Sequence, residues 1–194
     1  MNPRGRTFAV TLCVFLYTSA FSAEPFHWQW QKMETDSFWQ RPVIRQIHDD
    51  RLRQSIVDAV TDALGEFDGV SNAELQDIAA NESYEWTDLD GDGVPELITG
   101  GFGVKQCGGT GSCSLQVFRR HGSEFDLVLE TTEQQIMIDR SGHKPLLVLY
   151  NGTPIQGELE VYSFPHNSQA RKVHDYTVTW IERKSQKYAV PHLE

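Results

Sequence analysis

The chain reads as an α+β protein, with N-terminal helices packed on an antiparallel β-meander that forms an open or partial propeller-like sheet. Three observations predict this. Apolar residues recur at helical spacing between positions 49 and 67. From position 84 onward the apolar period falls to two. The connections in that half are short and polar, among them HGSE, RSGHKP and NGTPIQGE, and no helical pattern interrupts them. A parallel sheet would need a crossover helix for each return, so the strands are expected to run antiparallel.

Residues 1–22 read as a cleavable export signal. Arg4 and Arg6 precede an uncharged apolar run over residues 8–21, and Ala20 and Ser22 supply the small-x-small cleavage pattern. The run is shorter than the roughly 20 apolar residues that a spanning helix needs. Cys13 follows Leu12, too large for the small residue expected before a lipidated cysteine. Residues 23–48 form an aromatic-rich arm carrying Phe26, Trp28, Trp30, Phe38 and Trp39 without a period. Such an arm is expected to lie on the core, because exposed apolar patches on monomers are small. Residues 49–194 then make a single α+β domain.

Within that domain, Leu52, Ile56, Val60 and Leu64 form the stripe of an amphipathic helix over residues 49–67. Asp49 and Asp50 favour its start electrostatically. The SNAE stretch that begins at Ser71 is a capping-box pattern and opens a second, short helix to about Ala80. Strands are expected at 84–88, 96–102, 114–120, 125–131, 134–139, 146–150, 159–164 and 176–182. The basic residues Arg171, Lys172, Arg183, Lys184 and Lys187 read as a solvated face.

The full chain carries a formal charge of -10. Removing the leader takes away Arg4 and Arg6 and no acid, which leaves 15 basic against 27 acidic residues, or -12. Such a surface repels nucleic acid and anionic membrane and suits a basic protein or cell-envelope partner. Of three cysteines one lies in the leader, leaving Cys107 and Cys113. In an exported chain this pair is expected to form a disulfide. Closing so short a loop contributes about 2 kcal/mol in the chain-entropy picture.

The most informative stretch is WTDLDGDGVPELITGG, residues 86–101. Asp88, Asp90 and Asp92 alternate, and Glu96 follows. Turn chemistry accounts for one or two of these acids. It does not account for four, because crowded carboxylates repel. A hard cation removes the conflict, and calcium takes 6 to 8 oxygen ligands. Counting from Asp88, positions one, three and five are aspartates, position six is Gly93, Val94 at seven would offer its carbonyl, and position nine is Glu96. This is the first half of an EF-hand loop. Position twelve, however, is Thr99 instead of glutamate, and the following ELITGG reads as a strand instead of a helix.

The segment DLDGDGVPELI resembles the D-x-D-x-D-G-x-x-D-L calcium loop of FG-GAP and VCBS-type β-hairpins, as in integrin-like propeller blades. The resemblance covers about a dozen residues. It implies a Ca2+ site made by Asp88, Asp90, Asp92, Glu96 and the Val94 carbonyl, in a hairpin at 84–102. Glu96 stands where the family usually has aspartate. One echo of the loop, DRSGHKPLLVL at residues 139–149, keeps Asp139 and Pro145 but lacks the third aspartate, and reads as a degenerate hairpin. Two such units cannot close a propeller.

No nucleophile elbow, phosphate-binding loop, zinc-protease motif or dinucleotide fingerprint occurs. The seven histidines, His27, His48, His121, His143, His166, His174 and His192, show no helical ligand spacing and read as surface or structural residues. The expected function is a non-catalytic, exported, calcium-binding interaction module, periplasmic or secreted, with a structural ion. A narrower version is an inhibitor or immunity protein against a cell-wall-degrading enzyme. A second class is a calcium-stabilised hydrolase, which requires a pocket of convergent polar groups beside the loop.

Overall fold

A computed structural model describes residues 41–65, 69–101, 107, 112–153, 156–183 and 186–193, with no side-chain description from residue 180 onward. The expected leader, and residues 23–40 of the arm, lie outside the described residues. The described end of the arm packs inward. Its Ile44–Gln46 turn buries Ile44 completely, and the Ile44 amide donates to the Glu82 carbonyl at 2.9 Å.

Two helices follow. Helix α1 spans Asp50–Leu64, with Asp49 as its N-cap accepting from the amides of Arg51 and Leu52 at 3.0 and 3.1 Å. It ends three residues earlier than the apolar pattern predicts. Gly65 adopts φ 69°, a left-handed conformation that terminates helices readily. Helix α2 spans Asn72–Ala80 and carries the expected capping box, with the Glu74 amide donating to Ser71 Oγ and the Ser71 amide donating to the Glu74 carboxylate. Among the described residues no helix is long and apolar enough to cross a membrane.

The β half departs from the expected single meander. Strands β1 (Ser83–Thr87), β2 (Glu96–Gly100), β3 (Cys113–His121) and β4 (Glu124–Glu133) form one sheet in sequential order. Strands β5 (Gln135–Asp139), β6 (Leu146–Gly152), β7 (Gln156–Ser163), β8 (Arg171–Arg183) and β9 (Gln186–Leu193) form a second. Every pairing is antiparallel. Both sheets are open, not closed, and the class is α+β. The break falls at Gln134, whose amide donates to the Tyr150 carbonyl and whose side chain accepts from the Gly152 amide. Both bonds commit the chain to β6 instead of letting β5 pair with β4. Strand β9 was not anticipated, and β8 begins five residues before the expected start. Its Arg171 and Lys172 are exposed strand residues, Lys172 pairing with Glu160 and Asp175.

Three apolar layers result. Ile56, Val57 and Val60 of α1 and Ala79 of α2 pack with Leu97 and Phe118 on one face of the first sheet. Ile98, Leu115, Val117 and Val128 on its other face meet Ile136, Leu147, Leu149, Tyr162 and Phe164 of the second sheet. Val148, Tyr150, Leu159, Val161 and Val178 cover the far side of the second sheet. The order is helices, sheet, sheet. The β7–β8 loop reaches back over the first sheet, with the Ala170 amide donating to the Val128 carbonyl at 2.9 Å. Asn167 in that loop takes φ 57°, a conformation asparagine tolerates better than most residues.

Candidate metal centre

The loop between β1 and β2 is folded by its own acids. Asp88 accepts from the amides of Gly91 at 2.7 Å and Gly93 at 3.0 Å. Asp90 Oδ1 accepts from the Asp92 amide at 3.1 Å, and Asp92 Oδ1 from the Val94 amide at 2.6 Å. Glu96 Oε2 accepts from the Leu89 amide at 2.8 Å. Gly91 and Gly93 supply the positive φ values, 77° and 88°, that the reversal requires. Leu89, between Asp88 and Asp90, is fully buried in the inter-sheet core and anchors the loop from beneath. The glycine and aspartate spacing is thus local turn chemistry as well as a candidate ligand set.

Oxygens of Asp88, Asp90 and Glu96 converge within 4.8 Å of one another. Asp90 and Glu96 are almost wholly buried. Asp92 does not join this triad. Its carboxylate forms a second group with Asp90 and His166, so Asp90 belongs to both. Val94 is exposed at the loop tip. Four of the five sequence-predicted ligands therefore fall into two overlapping clusters.

Two further residues stand at the site that the sequence reading missed. Leu97 pairs with Phe118, so the next residues along, Glu96 and Arg119, face each other on the inter-sheet side. Arg119 lies 3.4 Å from both Glu96 Oε1 and Asp90 Oδ2. Its remaining donors go to the carbonyls of Ser168 at 2.9 Å and Pro165 at 3.2 Å in the β7–β8 loop. His166 from the same loop places Nδ1 3.2 Å from Asp90 Oδ2 and 3.3 Å from Asp92 Oδ2. His166, which the sequence reads as a surface or structural histidine, thus stands half-exposed beside these carboxylates. A sequence cue did exist for Arg119. It continues the alternation of the buried Leu115 and Val117, and a charge in a buried register implies a partner.

The electrostatics follow from this arrangement. Burial pushes the Glu96 carboxyl above its ordinary range, and the neighbouring Asp90 charge adds to the rise. The Leu89 amide and Arg119 act in the opposite direction. Four carboxylates against one guanidinium leave the centre a formal charge of minus three. The triad Asp88, Asp90 and Glu96 offers only hard oxygen donors, the donor set that suits calcium or magnesium.

The second hairpin shares the outline of the first. Asp139 Oδ1 accepts from the Ser141 amide at 2.9 Å in the β5–β6 turn. Among the described residues no ligand group forms around Asp139. The Cys107–Cys113 disulfide is present, with Sγ atoms 2.02 Å apart. No protein-family model matches the chain, and no curated protein or solved structure matches it either, so the calcium-loop resemblance stands on its own dozen residues.

Proposed function

We propose that the chain is a non-catalytic, exported binding domain whose β1–β2 loop holds one structural calcium ion. The observation that carries this reading is the convergence of Asp88, Asp90 and Glu96 oxygens within 4.8 Å, on a loop whose amides already hold those carboxylates in place. A divalent ion would lower the residual repulsion that Arg119 alone leaves. It would also fasten the hairpin to the β7–β8 loop, because Asp90 contacts both the triad and His166. The acidic chain, with its net charge of -10, favours a basic protein or envelope ligand, including a basic wall-degrading enzyme. The experiment is a thermal melt of the full chain in calcium and in chelator. Calcium at a hundredfold excess over its Kd stabilises by about 2.7 kcal/mol, a gain that Asp88→Asn should remove.

A second reading has its own support. Arg119 touches both buried carboxylates, so the centre is also interpretable as a metal-free ion-pair network. That reading predicts identical melts with calcium and with chelator. The hydrolase reading requires a polar pocket at the loop. The described groove between α1 and α2, lined by residues including Arg45, Arg53, Gln54 and Asp77, includes none of the loop acids.

A further inference from the structure

The last residue of β4, Glu133, is a carboxylic acid fully withdrawn from water, and neither of its oxygens has a hydrogen-bond partner. A buried carboxyl without a partner is costly, so its presence calls for an explanation. The register of the first sheet sets Glu133 directly opposite Cys113. Directly opposed residues on antiparallel strands project to the same face, with Cβ atoms about 5 Å apart. The register therefore sets the acid beside Cys113, the buried half of the only disulfide among the described residues. The two cysteines differ in access: Cys113 is 2% exposed, whereas Cys107 is half-buried.

We infer that Glu133 is the proton donor for opening of the Cys107–Cys113 disulfide, which makes this bond a reducible switch at the start of β3 and not an inert staple. The chemistry balances with a dithiol as reductant. One thiolate of the dithiol attacks Sγ of Cys107, the more exposed of the two cysteines. The S–S bond breaks, and its electron pair leaves on Cys113 Sγ. A thiolate in that buried position is unstable, and it takes the proton from the Glu133 carboxyl. The second dithiol sulfur, after losing its proton to solvent, attacks the mixed disulfide and releases Cys107, which is protonated from solvent. The dithiol is oxidised, both cysteines are reduced, and Glu133 regains its proton from water.

The acid is suited to that task. Burial alone raises its pKa to about 8, so it holds a proton at neutral pH. An ordinary thiol has a pKa of about 8.5, and a buried one lies higher, so transfer from the carboxyl to the leaving sulfur is close to balanced or downhill. The side chains that the register brings to its face are Cys113, Leu115 and Thr131, with Gln134 and Asn151 holding the joint to the second sheet. None of them carries a charge, and no neighbouring charge contributes to the shift.

The test uses the full oxidised chain and dithiothreitol, with thiol release followed by alkylation and mass spectrometry across pH 6–10. Rates are divided by the concentration of reductant thiolate, which removes the reagent's own titration. The normalised rate should fall as pH passes about 8, where Glu133 loses its proton. Glu133→Gln, which keeps the shape and neutrality of the protonated acid, should slow reduction at pH 7 by at least about 10-fold and flatten the profile. Glu133→Asp should keep a pH-dependent profile. A Glu133→Gln rate equal to or faster than the parent's would overturn the assignment. A variant that merely loosens the fold would open the bond faster, so a structural effect is distinguishable from a lost proton donor.

Discussion

Arg119 and Glu96 face each other across the β2–β3 register, with Nε 3.4 Å from Oε1 and both side chains withdrawn from water. The same guanidinium reaches Asp90 and two carbonyls of the β7–β8 loop. One residue thus supplies the resident positive charge of the acidic centre and joins the two sheets. A divalent ion would share carboxylates with that guanidinium. Removing one partner of a buried ion pair typically costs about 3–5 kcal/mol. Arg119→Gln should therefore lower the melting temperature in chelator by roughly 6–20 °C. It should also enlarge the stabilisation by calcium, because the ion then meets one more uncompensated charge. Paired melts of parent and variant check both outcomes.

The second sheet depends on a close approach between a ring and a strand. A Cβ added at Gly157 would sit 2.4 Å from Tyr150 Cε2. Gly157→Ala should cost about 1–3 kcal/mol through overpacking, measured by denaturant unfolding. Shortening the obstacle in Tyr150→Leu should recover part of that loss in the double variant, where the two effects will not add.

The local features of the fold were legible because short segments carry their own instructions. Ser71 and Glu74 announce the start of α2, Asp49 caps α1, and the alternating aspartates define the loop. The division into two sheets was not legible. It depends on Gln134 bonding to Tyr150 and Gly152, residues 16 and 18 positions away, and no period in the sequence reports such a choice. Strand β9 follows β8 directly, and its Lys187 reads in the sequence only as part of a solvated basic face. At the site, the acids were found because they are adjacent. Arg119 lies 23 positions after Glu96, and His166 lies 76 after Asp90. Only the packing of the sheets brings them together.

Glu133 gives the stability a specific pH dependence. Its folded pKa is raised from 4.5 to about 8 by burial. Between those values the folded chain keeps a proton that the unfolded chain releases. Stability from this group is therefore fully present below pH 4.5 and declines as pH rises through about 8. The slope approaches about 1.4 kcal/mol per pH unit within that window. Denaturant unfolding at several pH values should show this decline in the parent and its loss in Glu133→Gln.

The measurement that bears most directly on the centre is calorimetric titration of calcium into chelator-stripped full-length protein, run in parallel on Asp88→Asn. Asp88 contributes to the oxygen triad but is not an Arg119 partner, so its replacement leaves the Arg119 ion pairs in place. The account predicts saturable binding of one calcium per chain in the parent, abolished or weakened at least about 10-fold in the variant. No saturable heat in the parent up to millimolar calcium, with melts unchanged by chelator, would contradict it and leave Arg119 as the cation that the acids were arranged to meet.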